Sequence, residues 1–279
     1  MRFYKMHGIG NDYVYVDLAQ ERVDDPAALA IAVSRPHFGI GADGLVLIGP
    51  SDKADFSMRI FNADGSEGEM CGNATRCVAL YLYERGKTDK TVITLETRAG
   101  IRTLYIQAEG GRVRSVRVDM GEPALEAAAI PTTLRASGRV IRVPVTVLDR
   151  TFEVTCVSTG NPHAVIFLEE DVENFPLEKY GPALERHSTF PARANIEFAN
   201  VLARDRIRMR VWERGSNETM ACGTGACATL TAAVLCGLCD RRATVVLNGG
   251  ELEIEWDETT NKLWKTGPAQ MVFEGEWLL

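Results

Sequence analysis

Met58-Arg59-Ile60-Phe61-Asn62, then a Gly-bearing polar turn, then Cys71-Gly72-Asn73: the chain writes this stretch twice. The second copy is Met209-Arg210-Val211-Trp212-Glu213, a turn, and Cys222-Gly223-Thr224. In each copy a Glu (Glu67, Glu218) stands four residues before the Cys, and the offset is 151 residues throughout. The β-branched and aromatic run ahead of each turn reads as a strand, and the apolar run after each Cys-Gly reads as a helix. A repeat this long is no solenoid, whose period is about 20–50 residues. It predicts two similar domains related by a pseudo-twofold, their equivalent corners facing an interdomain cleft, the default place for a ligand.

Outward from the repeat, the same grammar recurs. Gly10-Asn11-Asp12-Tyr13 is echoed 150 residues later by Gly160-Asn161-Pro162-His163. Strands are expected at 2–6, 13–18, 45–49, 56–61, 91–96, 100–107 and 112–118, and again at 141–147, 152–157, 164–168, 195–198, 207–213, 243–248, 251–256 and 270–275. Asp25-Pro26 offers an N-cap with Pro at the first helical position, opening a helix to about Ser34. Further helices are expected from Ala74 to Arg85, closed by Gly86, within 176–187, and from Cys222-Gly223 to Gly237. Residues 122–140, rich in Ala and Pro, read as a crossing between domains. The boundaries that follow are 1–122 plus 267–279 for an N-terminal domain carrying Cys71, and 123–266 for a C-terminal domain carrying Cys222.

Composition removes several classes of function. The 279 residues are 46% hydrophobic and 25% charged, an ordinary globular balance. A net charge of -7 gives no footing for nucleic acid or an anionic membrane. The N-terminus, charged at Arg2 and Lys5, lacks the apolar core of a signal peptide, and no run is long enough to span a membrane. Seven cysteines without a secretory signal favour reduced thiols in the cytoplasm over a disulfide framework. Gly39-Ile40-Gly41-Ala42-Asp43-Gly44 is Gly-rich but lacks the Lys-Ser/Thr of a phosphate loop. His7, His37, His163 and His187 are scattered, so no metal site is expected.

The duplicated corner has a chemistry of its own. A Cys just ahead of a helix meets the positive end of the helix dipole and unpaired backbone N–H groups, both of which favour thiolate. The Gly beside it lets a ligand carboxylate reach those donors. Two such thiols on opposite faces of one carbon can invert it, one removing the α-proton and the other returning a proton from the far side. Cys77, Cys156, Cys227, Cys236 and Cys239 read as small apolar residues, and Cys236-Gly237-Leu238-Cys239 sits at a helix end, not a helix start.

Taken together, these stretches resemble the diaminopimelate epimerase family. The resemblance is carried by Lys5-Met6-His7-Gly8-Ile9-Gly10-Asn11-Asp12, Gly39 to Gly44, Phe61 to Glu67 with Cys71-Gly72-Asn73, Gly160-Asn161-Pro162-His163, Asn195-Ile196-Glu197-Phe198, Trp212-Glu213-Arg214-Gly215, Glu218 to Gly225, and Gly267-Pro268-Ala269. It implies an α+β fold in which each domain is a mostly antiparallel curved sheet or barrel around a central helix. It also implies an isomerase that interconverts LL- and meso-2,6-diaminopimelate, in lysine and peptidoglycan-precursor synthesis, with no cofactor and no metal. Cys71 and Cys222 match the family's acid/base pair. Substrate contacts carry over to Asn11, Asn62, Gly72, Asn73, Asn161, Asn195, Glu213, Arg214, Gly223 and Thr224. A diamino dicarboxylate calls for such amides, carboxylates and an Arg fork. His163 and Glu213 are the candidates to tune the thiols. Diaminopimelate is the expected partner, with neither nucleic acid nor membrane, and a homodimer is one assembly the sequence allows.

Two related enzymes compete with this reading. A proline-racemase-type enzyme shares the fold and the two-thiol mechanism, but typically has His after its first Cys-Gly, where Asn73 stands. A phenazine-biosynthesis-type isomerase would lack the paired thiols. From another class, a non-catalytic thiol protein that binds amino acids would show no α-proton exchange. The chain departs from the family's usual pattern at Ala74, after Cys71-Gly72-Asn73, and at Ser216-Asn217, both places where Gly is common. If either position needs a positive φ, Asn tolerates it better than Ala.

Overall fold

The computed structural model describes residues 1–135 and 137–278; Ala136 and Leu279, which fall in the expected C-terminal and N-terminal domains, lie outside the described residues. The chain divides into two compact units, residues 1–119 with 266–279, and residues 120–265.

The first unit contains β1 (Arg2–Gly8), β2 (Asn11–Asp17), α1 (Pro26–Ser34), β3 (Gly44–Gly49), β4 (Phe56–Asn62), β5 (Glu67–Gly68), α2 (Gly72–Glu84), β6 (Val92–Thr97), β7 (Gly100–Glu109) and β8 (Arg112–Gly121). The second holds β9 (Val143–Val147), β10 (Arg150–Ser158), β11 (Pro162–Phe167), α3 (Leu177–Glu185), β12 (Asn195–Ala203), β13 (Arg206–Glu213), β14 (Asn217–Glu218), α4 (Gly223–Leu235), β15 (Arg242–Leu247), β16 (Gly250–Trp256) and β17 (Leu263–Gly267). The chain then returns to the first unit as β18 (Gln270–Glu276).

Both units follow one plan. In the first, β1 is antiparallel to β18 and to β2, β2 is parallel to β3, β3 antiparallel to β4, β4 parallel to β6, and β6 to β8 form a meander. In the second, β10 is antiparallel to β9 and β11, β11 is parallel to β12, β12 antiparallel to β13, β13 parallel to β15, and β15 antiparallel to β16. The parallel pairs are those joined through a helix (α1 and α2, then α3 and α4), because parallel strands cannot be closed by a tight turn.

Each unit is thus the mostly antiparallel sheet around one central helix that the sequence implied. Every residue of α2 from Gly72 to Leu82 is buried, and α4 is buried from Gly225 to Ala233. A helix enclosed on all sides needs no polar face. Asp25 caps α1 as expected, accepting the Ala28 N–H at 3.0 Å with Pro26 at the first helical position. Gly86 closes α2 with φ 65. Among the described residues no helix is long and apolar enough to cross a membrane.

Three details differ from expectation. α4 starts at Gly223 as expected, but α2 starts at Gly72 and not at Ala74, so Ala74 lies inside the helix and takes no positive φ. Asn217 does, at 61°, a conformation that Asn tolerates. Residues 122–140 are not a free crossing. Ala127, Ile130 and Val140 are buried in the second unit's core, and Ala124 bridges to Ser158. Strands β5, β14 and β17 were not anticipated; two-residue pairings carry no alternation to read, and β17 is only five residues long.

Two local features position the residues of interest. Ile9 and Gly10 form the two-residue loop of the β1–β2 hairpin, with φ 51 and 85, the positive pair of a type I′ turn. That turn delivers Asn11 to the head of β2. On β12, Phe198 packs against Phe175 and Phe152 at ring-centroid distances of 4.4 and 5.9 Å. Such aromatic pairs contribute about 0.5–1.5 kcal/mol each beyond their area. Strand alternation then turns the neighbouring Glu197 to the opposite face.

Candidate functional site

In the first unit Cys71 is the N-cap of α2, with extended backbone at φ -126 and ψ 114. Its thiol donates to Asn11 Oδ1 at 3.3 Å, and Asn73 Nδ2 donates to the same oxygen at 3.3 Å. Asn11 is held in turn by Asp43, whose Oδ2 accepts the Asn11 amide at 2.7 Å and the Asp12 N–H at 3.0 Å. Burial raises the Asp43 carboxyl, and the hydrogen bonds from the Asp12 N–H and the Asn11 amide oppose this without overcoming it. The Tyr13 hydroxyl sits against Cys71 and Asn11; burial, then Cys71 and Asp43, push it well above the usual phenol. Gly72 is the first residue of α2. Asn62 stands apart: its amide donates to Ser66 Oγ at 2.9 Å within the exposed turn.

In the second unit Cys222 caps α4 in the same conformation, φ -114 and ψ 106. Its surroundings differ. The sulfur accepts the Gly225 N–H at 3.3 Å and lies 3.5 Å from Thr224 Oγ1. Burial pushes the thiol well above its ordinary value, and the carboxylates of Glu213 and Glu197 push the same way. The hydrogen bonds from Thr224 and Gly225 oppose this without overcoming it. Here the expectation of a thiolate at the helix start fails for a quantitative reason. A helix dipole contributes about 0.3–1 kcal/mol, less than one pKa unit at about 1.36 kcal/mol, whereas full burial can move a group by about 3–5 units.

Around Cys222 the remaining residues form a connected set. Burial also raises the Glu213 carboxyl, which Thr219 Oγ1 and Cys222 oppose by hydrogen bonding to it. His163 is fully buried on β11, with Nδ1 2.7 Å from Glu197 Oε1 and Nε2 2.9 Å from Asn161 Oδ1. Asn195 works locally: its amide donates to the Pro162 carbonyl at 3.0 Å and its Oδ1 accepts the Arg214 N–H at 2.9 Å. The Arg214 guanidinium donates to the Ala192 carbonyl at 3.2 Å. Gly223 is the first residue of α4, and the Thr224 carbonyl accepts from Thr159 Oγ1 at 3.3 Å.

Of the residues expected from the sequence, the structure brings Cys71, Asn11, Gly72 and Asn73 together in the first unit, leaves Asn62 apart, and gathers Cys222, Gly223, Thr224, Glu213, His163, Asn161, Asn195 and Arg214 in the second. Tyr13, Asp43, Glu197 and Thr219, which join them, were not among the residues expected. Glu197 had left a signal, a lone carboxylate in the apolar run Ile196-Glu197-Phe198. Thr219, between Glu218 and Met220, had left none.

Comparison with known proteins agrees along the whole chain. A family model described as diaminopimelate epimerase matches residues 3–126 and 155–272. A protein of Acetivibrio thermocellus named diaminopimelate epimerase is 55% identical over 277 residues, covering 99% of this chain and 98% of that protein. One of Agathobacter rectalis with the same name is 56% identical over 283 residues, covering 99% of each. Among solved structures, a Bacillus anthracis phenazine biosynthesis protein of the PhzF family matches with TM-score 0.71 at 19% identity, covering 100% of this chain and 99% of that one. A probable proline racemase from Agrobacterium radiobacter matches with TM-score 0.71 at 17% identity, covering 100% and 93%. At such identities these two speak for the fold alone.

Proposed function

Since the chain belongs to the diaminopimelate epimerase family, we propose that Cys71 and Cys222 are the acid/base pair of its reaction. The enzyme is an isomerase that interconverts LL- and meso-2,6-diaminopimelate. In the proposal one thiolate takes the α-proton while the other thiol delivers a proton to the opposite face, and no pyridoxal phosphate is needed as an electron sink. The observation that carries it is the matched pair of thiols, each at the N-cap of a buried central helix, with unlike neighbours. Cys222, raised by burial and by Glu213 and Glu197, is suited to hold its proton in the resting enzyme and act as the acid. Cys71, beside Asn11 and Asn73, is then assigned the base's part.

The other predicted contacts follow the substrate's chemistry. Asn11, Asn73 and Asn161 supply amides to ammonium or carboxylate, and the N–H groups after Gly72 and Gly223 can receive an α-carboxylate. Arg214 and Asn62 are assigned to substrate only through their place in the family pattern. Diaminopimelate is the one partner this reaction needs, and the net charge of -7 offers nothing to nucleic acid. Seven free thiols suit a reducing cytoplasm.

The direct experiment is incubation of LL-diaminopimelate with the purified enzyme in D₂O, under reducing conditions and without pyridoxal phosphate. Deuterium should enter the meso product at Cα before it enters recovered LL substrate, because acid and base are different groups. Absence of exchange at any pH from 6 to 9 would overturn the reading.

A further inference from the structure

The two units follow one plan, so each position in the second has a counterpart in the first, and strand register identifies it. Phe61 pairs with Leu45, and Trp212, its repeat, pairs with Ile196. Tyr15 lies beside Val46 on the parallel neighbour, and Val165 lies beside Glu197. Glu197 is therefore the counterpart of Val46, His163 of Tyr13, and Gly225 of Ala74. Val46 and Ala74 are both fully buried. A buried Val–Ala pair thus satisfies the fold at these positions, and a carboxylate is not required to build it.

In the second unit both members of that pair change. Glu197 is fully buried, and a Cβ added to Gly225 would lie 2.7 Å from Glu197 Oε1 and 3.1 Å from Cys222 Sγ. Gly225 is thus the space into which the carboxylate reaches, on the side that also faces the catalytic sulfur. Burying an ionised carboxylate is unfavourable unless it is paired. Its partner is His163 Nδ1 at 2.7 Å, while its second oxygen, Oε2, is buried without a hydrogen-bond partner among the described residues. The other nitrogen of His163 faces Asn161. The bond made by one imidazole nitrogen sets the proton on the other.

We propose that Glu197 is a positioning residue for the Cys222 half of the reaction. Its carboxylate accepts the His163 Nδ1 proton and fixes the ring, which leaves Nε2 to accept from the Asn161 amide group and so sets how Asn161 is presented to substrate. The influence of Glu197 on the Cys222 thiol is in keeping with this placement. The inference rests on the two-thiol reading but fails separately from it. Deuterium uptake by the wild-type enzyme tests that reading, and only differences between wild type and Glu197 variants test this one.

Two variants serve. Glu197→Gln keeps the shape and removes the charge. The double variant E197V/G225A installs the first unit's buried pair and so has a fold-compatible core. With ¹⁵N-labelled histidine, the wild type should show a His163 Nδ1–H resonance protected from solvent exchange, assigned by its loss in His163→Gln. In E197V/G225A that resonance should vanish and kcat should fall at least tenfold, with KM within threefold. Glu197→Gln should lower kcat in the wild-type background and add less than twofold to the loss already present in His163→Gln. Either a protected Nδ1–H resonance persisting in E197V/G225A, or independent losses that multiply in the Gln–Gln double variant, would overturn the proposal.

Discussion

Replacing Gly225 by Ala sets two effects against each other, and their balance should reverse with the residue at 197. Gly225 lies in the first turn of α4, where Ala would gain up to about 1 kcal/mol of helix propensity. The new Cβ would stand 2.7 Å from Glu197 Oε1, closer than carbon and oxygen can pack. Forcing a methyl group into a filled core costs about 1–3 kcal/mol. The carboxylate cannot retreat freely, because it is tied to His163 at 2.7 Å, and stretching a charged hydrogen bond costs about 1.5–3 kcal/mol when it is lost outright. The single substitution should therefore destabilise the protein by about 1–2 kcal/mol net. In the Glu197→Val background the obstructing oxygen is gone, and only the tight approach to Cys222 Sγ at 3.1 Å still offsets the propensity gain, so the same Gly225→Ala change should be neutral or stabilise by less than about 1 kcal/mol. The loss of the His163 partner is common to both proteins that carry E197V and cancels in the cycle. Urea unfolding of the wild type, both singles and the double, at one pH under reducing conditions, measures the coupling. A coupling of about 2 kcal/mol is expected; if Gly225→Ala shifted stability by the same amount and sign in both backgrounds, the steric reasoning would be refuted.

Changing either Cys71 or Cys222 to Ala should reduce turnover by about 10²–10⁴-fold in both directions, the range for loss of a general acid or base; near-normal turnover in one single variant, measured by the same deuterium assay, would exclude a pair of thiols. Thr219→Val removes a hydrogen bond that holds the Glu213 carboxyl down against its burial. Glu213 should then protonate at higher pH, so the acid limb of the kcat/KM profile should move upward, and an unmoved limb would detach Glu213 from the reaction. Alkaline pH should destabilise the fold through its buried thiols. Burial pushes Cys77 up to about 11 and Cys156 up to about 12, against about 8.5 for an exposed thiol. The unfolded chain releases these protons first, so stability present at pH 8 is lost as pH rises through that window, at about 1.4 kcal/mol per pH unit for each thiol. Denaturation of Cys156→Ala between pH 9 and 11 should show the slope reduced by that amount.

The sequence showed its fold through repetition more than through periodicity. The 151-residue offset located both Cys-Gly corners, and strand alternation located the long strands, because each signal repeats over many residues. What stayed hidden was set by single contacts across the sheet. Nothing local distinguishes Thr219 as the donor to Glu213, or Asp43 as the clamp on Asn11. Ala74 looked like a backbone liability only because its place inside α2 was not visible. The sign of the Cys222 shift was equally out of reach, since it depends on how deeply Cys222 itself is buried and on carboxylates from β13 and β12. Helix-end chemistry is readable from local sequence, whereas desolvation is a property of the assembled unit.

Comparing counterparts suggests why a duplicated enzyme should be unequal in its two halves. Tyr13, Val46 and Asn62 in the first unit stand where the second has His163, Glu197 and Glu213. The first set is neutral and the second brings two carboxylates toward one thiol. Had the copies stayed identical, both thiols would ionise at the same pH, and the enzyme would rest with two thiols or two thiolates through most of the pH range. Inversion needs one of each. A difference of about 1.4 kcal/mol between the two thiols makes one mixed protonation state tenfold more populated than its mirror. Carboxylates beside Cys222 produce such a bias in the direction that leaves the proton on Cys222. Under the proposed two-thiol reaction, symmetry of the backbone places a thiol at each corner, and the carboxylates beside Cys222 bias that thiol toward the acid's part.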